Sequence, residues 1–538
     1  MSATTSAAEH VNAIRFERLA WRPGPDTWQR AAGVLAAVFV LAAPYLANVS
    51  RDYTRYCCFW RTSDTLCLLS LIVVLAGVWF AVDEAIRRAD RPGLIRVADH
   101  VFLAVLGVGV LANAVFAASK LNHAAWTPRS DPVLAGWFVL AFVVGYSFGR
   151  PRSTLVHRCR QLCLIGIPVV PLTFGMLLLR STYPDGPEAI PPLTHPCTTG
   201  IPKDARTGGG VYVFLFDEWS YERAFCDSGV RTEYPHVASF AGTATIYHDA
   251  HAPGECTETS LPGILLQTDE PVVVHNGRLG FERRQGSFAP AAEYQSVFAR
   301  LRPLGYHSVM VGSTLPYRLW LQDQVDASRT YGYYPRGGDW TARLGVQLFN
   351  MARYSPDPFT RRSYKQLEQR LVHATVCGII ANQRSDIHTV IREWPAKTFL
   401  FAHVFPPHLP AVLDPDLTFR TPEQTGWLDG DLKQYERNLA AMDVLVGEFT
   451  DALRAAGKYD AAAIVLTADH SWRSDPDWTT GRRRGALTHV PLLVKAPRQQ
   501  HAASVDARFE TKDLGRLIES LVGRPTERDL LVMEDQAR

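Results

Sequence analysis

Five apolar stretches within the first 180 residues decide most of what this chain can become. They cover residues 31–49, 66–82, 101–118, 133–148 and 162–179, and none contains Asp, Glu, Lys or Arg. Each lies near the ~17–25 residues that an α-helix needs to cross a bilayer core about 30 Å thick. Helices of a soluble bundle keep a charged face for water; five successive runs without one predict five membrane spans. The near-zero mean hydropathy of −0.05 is then the average of an apolar region and an ordinary globular one.

The flanking cations predict an orientation, because cationic loops stay cytoplasmic. Arg15, Arg18, Arg22 and Arg30 precede the first stretch. Arg87, Arg88, Arg91 and Arg96 stand between the second and third, and Arg150, Arg152, Arg158 and Arg160 between the fourth and fifth. The alternate loops are poorer, with Arg51, Arg55 and Arg61 in one and Lys120 and Arg129 in the other. The N-terminus is therefore expected in the cytoplasm and everything after residue 179 outside it. Ion and proton relays place ionisable groups within their spans. Charge-free spans predict an anchor in the cytoplasmic (inner) membrane, one able to hold a lipid substrate.

The overall balance excludes other classes. Lys+Arg is 56 and Asp+Glu 53, a net charge of +3, which provides no basic face for a nucleic acid. Nine cysteines in 538 residues are too few for a disulfide scaffold. The sequence leaves the oligomeric state open.

The expected organisation is a five-span membrane domain over 1–180, a Pro/Gly/Ser/Thr-rich linker over 181–209 and an extracytoplasmic domain over 210–538. The last reads as α/β. Continuous apolar runs at 211–216, 307–312, 398–404, 462–467 and 490–495 suit strands buried on both faces. Between the third and fourth, Leu439, Met442, Leu445, Phe449 and Leu453 recur at helical spacing, with Gly457 as a stop. Alternating strands and helices predict a mostly parallel central sheet flanked by helices, with its site at the strand C-terminal ends.

Polar residues fall at those ends. Asp217-Glu218 follows the first run and Asp469-His470 the fourth. His403 and His408 flank the end of the third, and His489 precedes the fifth. Carboxylates with imidazole make a ligand set for Zn²⁺ or Mn²⁺ better than for Ca²⁺. Thr257 opens a helix-like run, where metal and helix dipole would both favour an alkoxide; its simpler reading is an N-cap.

In order along the chain, these segments resemble the alkaline-phosphatase-like superfamily, in its sulfatase-like branch. Val211–Glu218 is similar to the family's first strand ending in a metal-binding acid. Thr257-Glu-Thr-Ser-Leu-Pro-Gly-Ile-Leu-Leu266 is similar to its nucleophile helix. Phe399-Leu-Phe-Ala-His-Val-Phe-Pro-Pro-His-Leu-Pro410 and Leu466-Thr-Ala-Asp-His470 resemble its later histidine and metal motifs, and His489-Val-Pro-Leu-Leu493 its "h-x-PlLi" segment. Spans ahead of such a domain resemble the phosphoethanolamine and lipoteichoic-acid-type phosphoglycerol transferases.

The resemblance implies a metal site of Asp217, Thr257, Asp469 and His470, with Thr257 as nucleophile, and His408 and His489 binding the transferred group. It implies a membrane-lipid donor and a cell-envelope glycan acceptor. Two alternatives share the residues: a sulfatase or phosphodiesterase hydrolase, and a catalytically silent membrane-tethered relic. Three departures bear on the choice. Ser471-Trp472 follows the Asp-His pair where the family has Gly, and Glu218 could replace or join Asp217. Cys256 begins C-T-E-T-S and lacks the Pro and Arg of the formylglycine motif. Cys197, Cys226, Cys256 and Cys377 would lie outside the cytoplasm, where disulfides can form.

Overall fold

The computed structural model describes residues 25–50, 60–121, 153–179, 209–226, 229–275, 278–283, 286–332, 340–352, 358–425, 431–479 and 487–523. The chain forms two compact units. The first comprises Met1–Ser50, Thr62–Leu179 and Gly337–Tyr364; the second comprises Arg51–Arg61, Arg180–Arg336 and Lys365–Arg538.

In the first unit the apolar runs become helices α1 (Pro25–Val49), α2 (Thr62–Arg88), α3 (Pro92–Leu121), α4 (Ser153–Gly166) and α5 (Val169–Leu179). Four candidate membrane spans lie among the described residues, with α4 and α5 contributing one between them. They match four of the five expected runs; the run at 133–148 lies outside the described residues. Small residues bring the helices close. A Cβ on Gly109 of α3 would sit 2.8 Å from a Val40 methyl of α1. Beside it, Asn113 Nδ2 donates to Val40 O at 2.8 Å. At the opposite end of α1, Arg30 pairs with Glu84 at 2.6 Å, Arg87 with Asp83 at 3.0 Å, and Arg160 with Asp99 at 3.1 Å.

The second unit is built on an eight-stranded sheet. Its strands are β1 (Val211–Phe216), β2 (Thr245–Tyr247), β3 (His307–Ser313), β4 (Ala327–Tyr331), β5 (Thr398–Val404), β6 (Ala463–Ala468), β7 (Leu492–Lys495) and β8 (Ala503–Val505). The spatial order is β4-β3-β5-β1-β6-β7-β2-β8, and β7 alone runs against the others. Helices of this unit include α6 (Thr257–Leu266) and α9 (Leu432–Ala455), while α7 (Trp340–Ala352) falls in the first unit and α8 (Pro358–Glu393) follows it. Asp431 caps α9 by accepting from Lys433 N–H at 3.0 Å. The expected stop is present: Gly457 takes φ +66° just past the helix end, a left-handed conformation that glycine adopts without penalty.

Strands β1, β5 and β6 are buried throughout, which is why they read as unbroken apolar runs. Their register positions the site. Leu215 of β1 lies beside His403 of β5 and Thr467 of β6. Side chains alternate faces along a strand, so His403 shares a face with Leu215 and Thr467. Two residues on, the same parity carries Asp217 and Asp469, each one position past its strand.

Candidate active site and metal centre

Asp217, His403 and Asp469 are buried, and one ligand atom from each lies within 4.8 Å of the other two. His403 Nε2 is 3.4 Å from Asp217 Oδ2. Neither His403 Nε2 nor Asp469 Oδ2 has a hydrogen-bond partner among the described residues. Two orphaned buried acceptors beside a second carboxylate are costly without a cation, because a buried unmet polar group loses about 1–3 kcal/mol.

The tautomers support that reading. His403 Nδ1 is 2.6 Å from Tyr317 Oη, which also donates to Ser313 O at 3.2 Å. A carbonyl only accepts, so with the phenol proton on Ser313 O the imidazole Nδ1–H donates to Tyr317, and Nε2 presents its lone pair. Burial, with Asp217 and Asp469 nearby, holds the Tyr317 phenol well above its ordinary value, so its proton stays in place. His470 is arranged likewise: Nδ1–H donates to Ser471 O at 2.8 Å, leaving Nε2 as acceptor.

Thr257 is the first residue of α6, and the residue in the N-cap position is Cys256. The Thr257 hydroxyl does not cap the helix. It donates to Asp217 Oδ1 at 3.4 Å and lies 3.3 Å from His470 Nε2. The turn before it needs a glycine: a Cβ on Gly254 would stand 2.2 Å from Thr259 Oγ1. Ser260, one turn into α6, ties the helix to the sheet by donating to Asp469 O at 2.5 Å.

Opposing forces act on the two acids. Burial would raise Asp217, but His408, His403 and His470 outweigh it and hold the carboxyl well below the usual range. Asp469 is pushed up by burial and by Asp217, against the pull of His470. Two buried carboxylates this close repel each other, which raises one of them while the histidines keep the other ionised.

Glu218 occupies a different place from Asp217. It sits at φ +64°, its N–H donates to Asp469 Oδ1 at 3.1 Å, and its carboxylate accepts from Arg473 Nε at 2.8 Å. The acid that faces His403 and Asp469 is therefore Asp217, and Glu218 is a strut. The Ser471-Trp472 departure also has a packing account. Trp472 is fully buried and stacks on Tyr435, ring centroids 4.0 Å apart, and Tyr435 Oη donates to Glu218 O at 2.6 Å.

His408 lies on the loop after β5, which Asn438 of α9 holds by donating to the carbonyls of Pro407 and His408 at 3.1 and 2.9 Å. Its Nδ1–H donates to Leu409 O at 2.5 Å, so Nε2 is the outward nitrogen. Glu218 and Asp217 raise its pKa against the effect of burial. His489 is not available in the way the sequence suggests. Its Nδ1 pairs with Glu222 at 2.8 Å and its Nε2–H donates to His248 O at 2.9 Å. With both nitrogens committed, it braces the strand junction and cannot bind a transferred group without breaking a bond.

Cys256, Cys226 and Cys377 are free thiols, and Cys197 lies outside the described residues. Burial pushes the Cys256 thiol up, and its Sγ lies 3.2 Å from Thr259 Oγ1. His403 is the residue that sequence reasoning left without a role. Its signal was an imidazole inside a run otherwise fit for a fully buried strand.

The family model described as Sulfatase matches residues 211–523. The chain belongs to the sulfatase family. It is thereby a sulfatase-like hydrolase or transferase of the alkaline-phosphatase-like superfamily. No curated protein matches it in sequence. Solved structures similar to its sulfatase domain include Ps i-CgsB in complex with k-i-k-neocarrahexaose, at 15% identity and TM-score 0.41, covering 60% of this chain and 73% of that one. The phosphonate monoester hydrolase of Agrobacterium radiobacter matches at 13% identity and TM-score 0.36, covering 57% and 72%. The lipoteichoic acid synthase LtaP from Listeria monocytogenes matches at 12% identity and TM-score 0.36, covering 60% and 74%. Sulfatase-family proteins bind a divalent metal, and the orphaned donors of His403 and Asp469 fit one.

Proposed function

We propose that this protein is a membrane-anchored metalloenzyme that moves a phospho-head-group, of the phosphoethanolamine or phosphoglycerol type, from a lipid to an extracytoplasmic glycan through Thr257. The observation that carries the reading is the Thr257 hydroxyl, buried at a helix N-terminus between Asp217 Oδ1 and His470 Nε2. In this proposal the membrane domain covers 1–180, the linker 181–209 and the catalytic domain 210–538. The N-terminus is cytoplasmic and the catalytic domain is outside.

Asp217, Asp469, His470 and Thr257 would hold one Zn²⁺ or Mn²⁺, with His403 as a further donor. When bound, such an ion supplies Lewis-acid charge that lowers the pKa of a hydroxyl and offsets charge on a phosphoryl oxygen. The rest falls to the chain. Asp217 Oδ1 accepts the Thr257 hydrogen bond and aims the oxygen, and the hydroxyl proton goes to water as the alkoxide forms. The positive end of the α6 dipole favours the developing alkoxide. The Thr257 oxygen attacks phosphorus and forms a phospho-threonine ester while the lipid oxygen leaves. His408, whose Nδ1–H is held by Leu409 O, protonates that oxygen from Nε2 and then takes the proton of the glycan hydroxyl that attacks the same phosphorus and releases the Thr257 oxygen. The Glu218 backbone N–H, its side chain tied to Arg473, holds Asp469 from the second side.

Mass spectrometry of the peptide carrying residues 256–259, after incubation with phospholipid, tests this. A phosphodiester on Thr257 is expected, together with loss of turnover in Thr257→Ala at retained metal content. Sulfate on Thr257, formylglycine at Cys256 or an active Thr257→Ala enzyme would each refute it. Appearance of the head group on water alone would assign the hydrolase instead.

A further inference from the structure

Helix α7 is encoded between strand β4 and helix α8, inside the sulfatase domain, yet it belongs to the unit of the apolar helices. Two side-chain contacts fix it there. Tyr45 Oη of α1 donates to Gln347 Oε1 at 2.8 Å, fully buried. The Arg343 guanidinium donates to Ser63 Oγ of α2. Tyr45 stands four residues before the end of α1 and Ser63 is the second residue of α2. Helix α7 therefore seats where α1 finishes and α2 begins. The Arg30–Glu84, Arg87–Asp83 and Arg160–Asp99 pairs lie at the other end. By the distribution of cations that other end is cytoplasmic, which makes the α7 end extracytoplasmic.

The outer side of α7 has a distinct chemistry. Trp340 and Leu348 are 46% and 50% exposed, and Thr341 and Gly345 are exposed between them. At helical spacing these four share one face. Arg343 is the only charged residue of the helix, and it is turned onto Ser63. On α2, whose start Arg343 contacts, Leu66 is 40% exposed, and Val73, Val74 and Val78 are exposed further along that span. Thirteen residues make a helix about 20 Å long, too short to cross a core of about 30 Å. An uncharged stripe led by Trp, seated on the end of a span, has the composition of a helix lying in the membrane interface.

We propose that α7 is an interfacial helix whose Trp340–Leu348 face lies against the acyl chains of the extracytoplasmic leaflet. A segment encoded within the catalytic domain would thus touch the bilayer directly. The chain leaves for it from the C-terminal end of β4, and β4 runs parallel to β3, β5 and β1. That end lies on the sheet edge where Asp217 and Asp469 stand. The proposal rests on the membrane-anchor reading.

The test is photocrosslinking of the full chain in vesicles of phosphatidylethanolamine and phosphatidylglycerol. Benzoylphenylalanine is placed at Leu348, at Trp340 in a second variant, and at Val78 as a mid-span control. Intact-mass and peptide analysis should find phospholipid adducts at 348 and 340 with a yield within about threefold of Val78. Crosslinks at 348 and 340 to protein only, whether a second copy or residues 122–152, would overturn the inference while a lipid adduct at Val78 keeps the anchor. No lipid adduct at any of the three positions would overturn both.

Discussion

Replacing Tyr317 by Phe removes one oxygen from the second layer of the site, and the size of its effect on metal affinity can be worked out. Tyr317 Oη is the acceptor, at 2.6 Å, for the Nδ1–H of a fully buried His403. Without it that N–H is unmet, at a cost of about 1–3 kcal/mol. The imidazole has an escape. Moving its proton to Nε2 lets it donate to Asp217 Oδ2, now 3.4 Å away. That tautomer has no lone pair facing Asp469. Either outcome penalises the metal-bound form, and at 1.4 kcal/mol per tenfold the expected weakening is about 10- to 100-fold, the range typical of lost partners behind a ligating histidine. Competition of apo-protein against a chromophoric chelator, for Zn²⁺ and Mn²⁺ separately, would measure it, with His403→Gln alongside. Metal affinity within about twofold of wild type in both variants would show that His403 is not a ligand.

Two further perturbations probe the frame of the site. His489 and Glu222 should act as an ion pair with a defined pH window. Burial would raise Glu222, but His489 holds it below its ordinary value, so its contribution is present above about pH 4.3 and fades as pH falls through the lowered pKa. Burial would lower His489, but Glu222 and the His248 carbonyl raise it, so its contribution is full below about pH 6.5 and fades as pH rises through the raised pKa. The thermal midpoint of Glu222→Gln should therefore trail wild type most between about pH 4.5 and 6.5 and converge with it in alkali; a gap constant across that range would contradict the pairing. Trp472→Ala removes a fully buried ring stacked on Tyr435 and should cost about 3–5 kcal/mol in denaturant unfolding; a loss below about 1 kcal/mol would mean that the Trp472 ring does not brace the loop after His470.

Much of the centre of the molecule was legible in the sequence, and the reasons are physical. A strand covered on both faces must be apolar throughout, so β1, β5 and β6 announced themselves, and the acids just past β1 and β6 followed. The short strands at one end of the sheet carry no such mark: β2 and β8 are three residues each, too short to show a period. Sequence spacing placed Thr257 at a helix start but left open whether its hydroxyl capped the helix; Cys256 occupies the cap position and frees Thr257 for the carboxylates. His403 gained meaning only from register, since its neighbour Asp217 is 186 residues away in the chain. His489 looked like a substrate ligand because sequence cannot show that Glu222 and His248 claim both nitrogens. Helix α7 was hidden for a related reason: a 13-residue amphipathic helix reads alike on a sheet or on a membrane bundle, and the Tyr45–Gln347 contact spans 302 residues.

The pleat of the three central strands has a consequence for how this chain can change. Asp217, His403 and Asp469 face one another because each falls on the same parity of paired strands. Deleting or inserting one residue within β1, β5 or β6 would send that strand's functional side chain to the opposite side of the sheet. Two residues would restore the side but shift the level by about 6.6 Å. Length in these strands is thus quantised, and the strands can vary in residue identity far more freely than in number. The outlying strands β2, β4 and β8 carry no member of the set, so growth and shrinkage of the domain belong there, and the segment that carries α7 follows one of them, β4.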